Sequence, residues 1–176
     1  MSKPFVKYGV YYGLFTIIMT LAIYLLDPTL FGNMWFSFLL MPIPIIFMVL
    51  AVREEKQKGG GYVQFGTAFL QGLGVVVIGY VISGIFTYIL YNFVDPGLED
   101  VIKGSVIESM ESYEDMMPEE SYEKMIDDLD AKSFSDMGTI AMGLISMTFI
   151  GTIFSLIIAA IMKKARTGIE TLDDIA

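Results

Sequence analysis

The chain has 176 residues, of which 55% are hydrophobic, with a mean hydropathy of +0.62 and a formal net charge of −9. That apolar content is too high for an ordinary soluble domain of this length and makes the bilayer part of the solvent. Cys and His are both absent, which excludes a disulfide framework, a thiol nucleophile, a cysteine-ligated metal, the commonest general base and the usual zinc ligand.

Lys3 and Lys7 lead into an apolar run over 8–26. A secretory signal has an apolar region of about 7 to 15 residues closed by small side chains. This run is longer and ends in Tyr24-Leu25-Leu26-Asp27-Pro28, so it reads as a retained first span. Asp27 and Pro28 mark the break, Asp as a helix cap and Pro as a residue suited to a first helical turn. A short turn through Gly32 and Asn33 then starts a second span over 34–52. Pro42 and Pro44 lie inside it. Each lacks an N–H and crowds the preceding turn, so a kink or local unwinding near mid-membrane is expected. Because no charged residue lies near these prolines, a kink whose freed carbonyls are met by neighbouring helices is the preferred reading. The other is a broken helix beside a substrate site.

Arg53, Glu54, Glu55, Lys56 and Lys58 close the second span, and Gly59-Gly60-Gly61 forms a link at the membrane surface. With no preceding strand and no following Gly-Lys-Ser or Gly-Lys-Thr, these glycines do not read as a phosphate cradle. The third span, over 65–93, has no acidic or basic residue and exceeds the roughly 20 residues that cross about 30 Å of hydrocarbon. It stops at Asp95 and Pro96.

Residues 93–136 carry 14 of the 20 acidic residues and only three lysines, a local charge of −11. Leu98, Val101, Ile102, Val106, Met110, Tyr113 and Met117 recur at helical spacing and predict one apolar face. Pro118 breaks that helix. Glu119 and Glu120 suit the first turn of another, with Tyr122, Met125, Ile126 and Leu129 on its apolar side. An acidic, extracytoplasmic amphipathic helical hairpin over 94–136 is therefore expected between spans three and four. Asp127, Asp128 and Asp130 raise the question of calcium. A calcium loop needs alternating ligands, a glycine at its sixth position and a distal Glu, and no Gly occurs over 105–137. The acidic face reads as solvated, with no metal and no cofactor expected.

Ser135 or Asp136 is placed to cap a fourth span over 137–162, which runs into Lys163, Lys164 and Arg166. Eight Lys and Arg fall on the side of the two chain ends and three on the other. The positive-inside rule therefore predicts a multi-pass protein of the cell inner membrane with both termini cytoplasmic. A weak internal repeat accompanies this order, since spans one and three both close on Asp-Pro, with Leu30 and Leu98 two residues beyond the prolines. Gly9 and Gly13, Gly79 and Ser83, and the series Gly151, Ser155 and Ala159 each put a shallow strip on one helix face. Such strips let backbones approach, within the four helices or between copies of the chain.

The basic turn after span two, GGGYVQFGTAFLQG opening span three, YNFVDP closing it, the Glu- and Met-rich segment and the final span ending in Lys-Lys together define a pattern over nearly the whole chain. That pattern resembles the bacterial four-helix membrane family known as domain of unknown function 4199. The resemblance implies four spans and supplies no activity, ligand or catalytic residue. The fold class expected is all-α, an integral membrane four-helix bundle. The expected role is a non-catalytic scaffold or accessory subunit, not an enzyme, whose partners are the lipid bilayer and a membrane protein or a second copy, not nucleic acid. The alternative is a small transporter or channel with a site near Pro42 and Pro44, for which Gln71, Thr87, Thr148 and Thr152 are the polar candidates.

Overall fold

The computed structural model describes residues 3–111 and 118–164. Within these residues the order is α1 (Pro4–Leu26), a 3-10 turn (Pro28–Phe31), α2 (Met34–Leu40), α3 (Pro42–Lys58) and α4 (Phe65–Ile89), which ends in a π turn (Leu90–Val94). Then come α5 (Leu98–Glu111), α6 (Glu119–Ala131) and α7 (Met137–Met162). Four stretches are long and apolar enough to cross a membrane: Pro4–Leu26, Trp35–Lys58, Phe65–Val94 and Met137–Met162. At 1.5 Å per residue, the 26 residues of α7 extend about 39 Å, more than the roughly 30 Å of a hydrocarbon core. The protein is an all-α, multi-pass membrane protein. Tyr113, Met117 and Arg166 lie outside the described residues.

The bilayer decides the conformation of α4. Its sequence holds five glycines and the run Val75-Val76-Val77-Ile78, a composition that favours strand over helix in water. In hydrocarbon an unpaired peptide group costs several kcal/mol, and a helix satisfies every interior group within one segment. The membrane term exceeds the summed propensity deficit, and α4 is helical throughout.

Helix starts show the same accounting. The first N–H groups of a helix have no partner inside it. In α1, Pro4 has no N–H, Phe5 N donates to Gln71 Oε1 at 2.8 Å, and Val6 and Lys7 donate to the Lys3 carbonyl. Asn33 Oδ1 accepts from Phe36 N at 3.0 Å to cap α2, and Asp136 Oδ2 accepts from Thr139 N at 3.0 Å to cap α7. Between α2 and α3 the proline at position 42 offers no N–H, and Met41 N donates to the Phe38 carbonyl instead. At the other end of α3 the chain turns on Gly60 and Gly61, with φ of 65° and 90°, a region that side chains with a Cβ rarely adopt.

The described residues fall into two compact units. One comprises 3–13, 43–80 and 146–164. Its core is set by the fully buried Met48, Val52, Val75, Val76 and Ser155, and the Tyr12 ring lies directly on Gly79, with Phe47 and Tyr80 rings 5.6 and 5.8 Å away between centroids. Val63 and Lys164 exchange both main-chain hydrogen bonds, at 3.0 and 2.9 Å, fixing the chain beyond α7 to the turn before α4. Seven Lys and Arg occur in this unit.

The other unit comprises 14–42, 81–111 and 118–145. Leu90, Leu98 and Ile102 form its core, with Tyr24, Phe31, Phe86, Tyr91, Val106 and Phe134 packed around them. α5 lies against the 3-10 turn, where Ser105 Oγ donates to the Thr29 carbonyl at 2.6 Å and Ser109 Oγ to the Gly32 carbonyl at 3.1 Å. α6 buries no residue, although Lys103 Nζ reaches the Asp130 carbonyl at 3.4 Å.

The packing makes a contrast measurable. Gly79→Ala places a methyl in the Tyr12 ring, whereas a Cβ at Gly143 meets nothing within 4 Å. Unfolding in mixed detergent is expected to show Gly79→Ala destabilised by about 1–3 kcal/mol and Gly143→Ala neutral or stabilised by up to about 1 kcal/mol.

Candidate functional site

The small residues singled out from sequence occupy defined places. Gly9 and Gly13 are buried, and a Cβ on Gly9 would stand 2.8 Å from the Ile78 Cβ. Gly79 receives Tyr12, Ser83 is partly buried, and a Cβ on Gly151 would come within 2.6 Å of Val76. Ser155 and Ala159 are fully buried, and Ser155 Oγ donates to the Phe69 carbonyl at 2.7 Å. Gly9, Gly79 and Gly151 therefore each lie at an α1–α4 or α7–α4 contact, and Ser155 binds α4 directly.

The two Asp-Pro breaks share one local geometry. Asp27 Oδ1 accepts from Thr29 N and Asp95 Oδ1 from Gly97 N, both at 3.0 Å. The carbonyls of Asp27 and Asp95 accept from Leu30 N and Leu98 N, both at 3.2 Å. A carboxylate before proline that binds the amide two residues on is a self-contained turn, and here it occurs twice, with Pro28 and Pro96 at the same place in each. Asp95 also accepts from Tyr24 Oη at 3.2 Å. Pro42 opens α3, and Pro44 follows in its first turn.

Of the polar residues inside the spans, Gln71 is 6% exposed and holds the start of α1. Thr152 Oγ1 donates to the Thr148 carbonyl at 2.8 Å within α7, and Thr87 is partly buried. These bonds satisfy backbone groups and do not gather around a common point.

Two carboxylates have several partners. Glu54 bridges Lys7 at 2.8 Å and Lys58 at 3.0 Å. Glu99, whose side chain is only 13% exposed, accepts from Phe134 N at 2.9 Å, Ser135 N at 3.1 Å and Ser133 Oγ at 3.2 Å, and pairs with Lys103 at 3.2 Å. Asn92 Nδ2 adds a bond to the Ser135 carbonyl at 2.9 Å. The segment between α6 and α7 is thereby fastened to the first turn of α5. Burial alone would push the Glu99 carboxyl up, but the Phe134 N–H, the Ser135 hydroxyl, the Lys103 ammonium and the Ser135 N–H together bring it down to about 2. A carboxylate with its lone pairs so occupied has no proton to give at neutral pH and serves as an acceptor. The i, i+4 spacing of Glu99–Lys103 and Glu54–Lys58 is a signal that could have found these pairs. Sequence reasoning missed the links to residues 133–135 and to Lys7, because no spacing rule connects segments more than 30 residues apart.

The rest of the acidic surface is open. Glu119, Glu120, Glu123, Asp127, Asp128 and Asp130 on α6 are exposed, and Lys124 lies 3.9 Å from Glu120. Among the described residues no three potential ligands converge to hold a metal ion.

The lowered value of Glu99 fixes the sign of a pH effect. A carboxyl that falls from 4.5 to about 2 on folding contributes stability above the unfolded value, and that contribution fades as pH drops from about 4.5 toward about 2. Amide protection of Phe134 and Ser135, corrected for intrinsic exchange, is expected to fall across that window in the native chain. In Glu99→Gln it is expected to be lower at neutral pH and flat.

No curated protein and no solved structure matches the chain. Residues 7–164 match the family described as "Protein of unknown function (DUF4199)", which covers nearly all of the sequence, and the chain belongs to that family.

Proposed function

We propose that this protein is a non-catalytic scaffold or accessory subunit of a membrane assembly, oriented in the cell inner membrane with both ends of the chain cytoplasmic and the acidic segment outside. The observation that carries the reading is the division of labour among polar groups. Buried polar side chains within the spans, Gln71 and Ser155, bind backbone groups of neighbouring helices, while six carboxylates of α6 stay exposed. Buried polar groups inside the spans thus hold helices together, and the exposed carboxylates of α6, of which Glu120 has Lys124 at 3.9 Å, are available to a partner. An acidic helical hairpin of α5 and α6, anchored at Glu99, would present that surface to a basic region of a membrane protein or of a second copy. Orientation rests on charge: Lys3, Lys7, Arg53, Lys56, Lys58, Lys163 and Lys164 share one unit, against Lys103, Lys124 and Lys132 in the other.

A transport reading has one specific support, the interruption of the second span at Met41–Pro42. Solute flux through vesicles holding the purified protein, above that of empty vesicles, would favour it over the scaffold.

Two measurements check the proposal. A phosphatase reporter fused after Ala176 is expected to be inactive and a fluorescent reporter there active; the opposite result reverses the orientation. Mild-detergent capture is expected to recover a reproducible membrane partner or a homo-oligomer. Substituting Glu119, Glu120, Asp127 and Asp128 by their amides should reduce that recovery about tenfold or more, if each lost charge pair is worth about half a kcal/mol. Recovery of a monodisperse, partnerless protein would remove the scaffold reading.

A further inference from the structure

The cations of the unit containing 43–80 and 146–164 are not equivalent. Lys7 and Lys58 share the Glu54 carboxylate. Lys56 donates to the Met162 carbonyl at 3.0 Å, meeting the partial negative charge of the last turn of α7. Lys163 and Lys164 follow immediately, both exposed, and no carboxylate among the described residues pairs with either. With Lys3 and Arg53, which also have no ion pair among the described residues, they carry the uncompensated charge of this unit.

These two lysines are also placed with more precision than surface lysines usually have. The main chain of Lys164 is fixed by both hydrogen bonds with Val63, and its Nζ lies 5.1 Å from the centre of the Tyr62 ring. The Lys163 Nζ lies 6.0 Å from the Phe65 ring. On α7, which ends just before these lysines, Ile157 and Ile161 stand four residues apart on one helical face, 49% and 76% exposed. The surface therefore reads, in order, an apolar helical track, two aromatic rings and two unpaired ammoniums. Tyrosine is enriched at the headgroup level, and basic groups there attract anionic lipid.

We infer that Lys163 and Lys164, with Tyr62 and Phe65, form a binding site for an anionic phospholipid. The phosphate lies between the two ammoniums and an acyl chain runs along Ile161 and Ile157. A soluble anion would match the charge and leave the adjoining apolar track unused. A phospholipid matches both, because its charge is covalently joined to a hydrocarbon chain at the depth where the lysines sit. Anchoring of this kind fixes the end of α7 to the turn before α4 through the same residue, Lys164, that already joins them by its main chain.

The test uses the full chain in phosphatidylcholine vesicles containing spin-labelled phosphatidylglycerol or spin-labelled phosphatidylcholine at trace level. The motionally restricted fraction gives the relative affinity for the two lipids. Phosphatidylglycerol is expected to be preferred, and the preference to fall about fivefold or more in K163Q/K164Q, in line with the attraction of a basic residue to an anionic surface. K163R/K164R is expected to keep it, and so is K124Q/K132Q. The inference is overturned by equal affinity for the two lipids, which is also the result if the chain's own acidic residues beyond Lys164 occupy the lysines. Full preference in K163Q/K164Q overturns it as well, and so does complete loss of preference on adding inorganic phosphate at constant ionic strength, which assigns the site to a free anion. Circular dichroism of each variant separates loss of the site from loss of the fold.

Discussion

An N–H or carbonyl left without a partner in hydrocarbon costs several kcal/mol, and at several of the described helix ends of this protein a specific group answers that cost. Inside a helix the ladder does so automatically. At the ends it does not. Gln71 reaches from α4 to the second residue of α1, and Met41 N takes the Phe38 carbonyl before the proline at position 42. Asn92 takes the Tyr88 carbonyl at 3.0 Å in the π turn. Lys56 takes the Met162 carbonyl where α7 stops. Gln71 is positioned by this requirement, while Ser155 and Thr152 bond carbonyls within helices. These residues are dispersed along the helices.

Once backbone groups are satisfied, packing has to hold helices together with little hydrophobic gain, since lipid tails are as apolar as leucine. In the unit that contains 43–80, α4 supplies the shallow surface. Its Gly72 and Gly79 accept Ser155 and Tyr12, while its Val76 and Ile78 fit over Gly151 and Gly9. Small-against-large matching works in both directions across α4, so close approach does not depend on paired glycines. Tyr12 illustrates the consequence. A large amphipathic ring lies directly on a helix backbone, and two further rings contact its edges at under 6 Å between centroids, an arrangement that adds specific aromatic attraction to dispersion.

What was legible in the sequence follows the range of the interaction. Apolar composition over 20 or more residues announces a membrane helix regardless of propensity, so α4 is readable as a span despite its valines and glycines. Caps are readable because donor and acceptor lie two or three residues apart, as with Asp27 and Thr29, Asn33 and Phe36, or Asp136 and Thr139. Gln71 was visible only as a polar residue in a span and was weighed as a transport candidate. Its bond to Phe5 spans 66 positions, and nothing local marks it. Glu99 was one acid among 14 in an acidic segment. Its selection as the fastening point depends on three donors that the fold delivers from residues 133–135. The Val63–Lys164 pairing was equally invisible, because both residues sit in short connections with no strand signal.

The acidic segment faces water, so its stability is governed by charge rather than by backbone desolvation. A local excess of −11 opposes compaction. On α5 the charge of Glu99 is offset by Lys103 and by donors from residues 133–135, while Asp100, Glu108 and Glu111 are exposed. On α6 the excess is not offset. Glu119 and Glu120 in the first turn agree with the helix dipole, but Asp128 and Asp130 lie in the last turn, where no basic residue compensates them and the dipole disfavours negative charge. With 13 residues and no buried side chain, α6 is near the length at which an isolated helix is marginal. Neutralising its C-terminal aspartates would remove both the mutual repulsion and the dipole conflict. A basic partner surface would therefore stabilise α6, which buries no residue and leaves its carboxylates exposed.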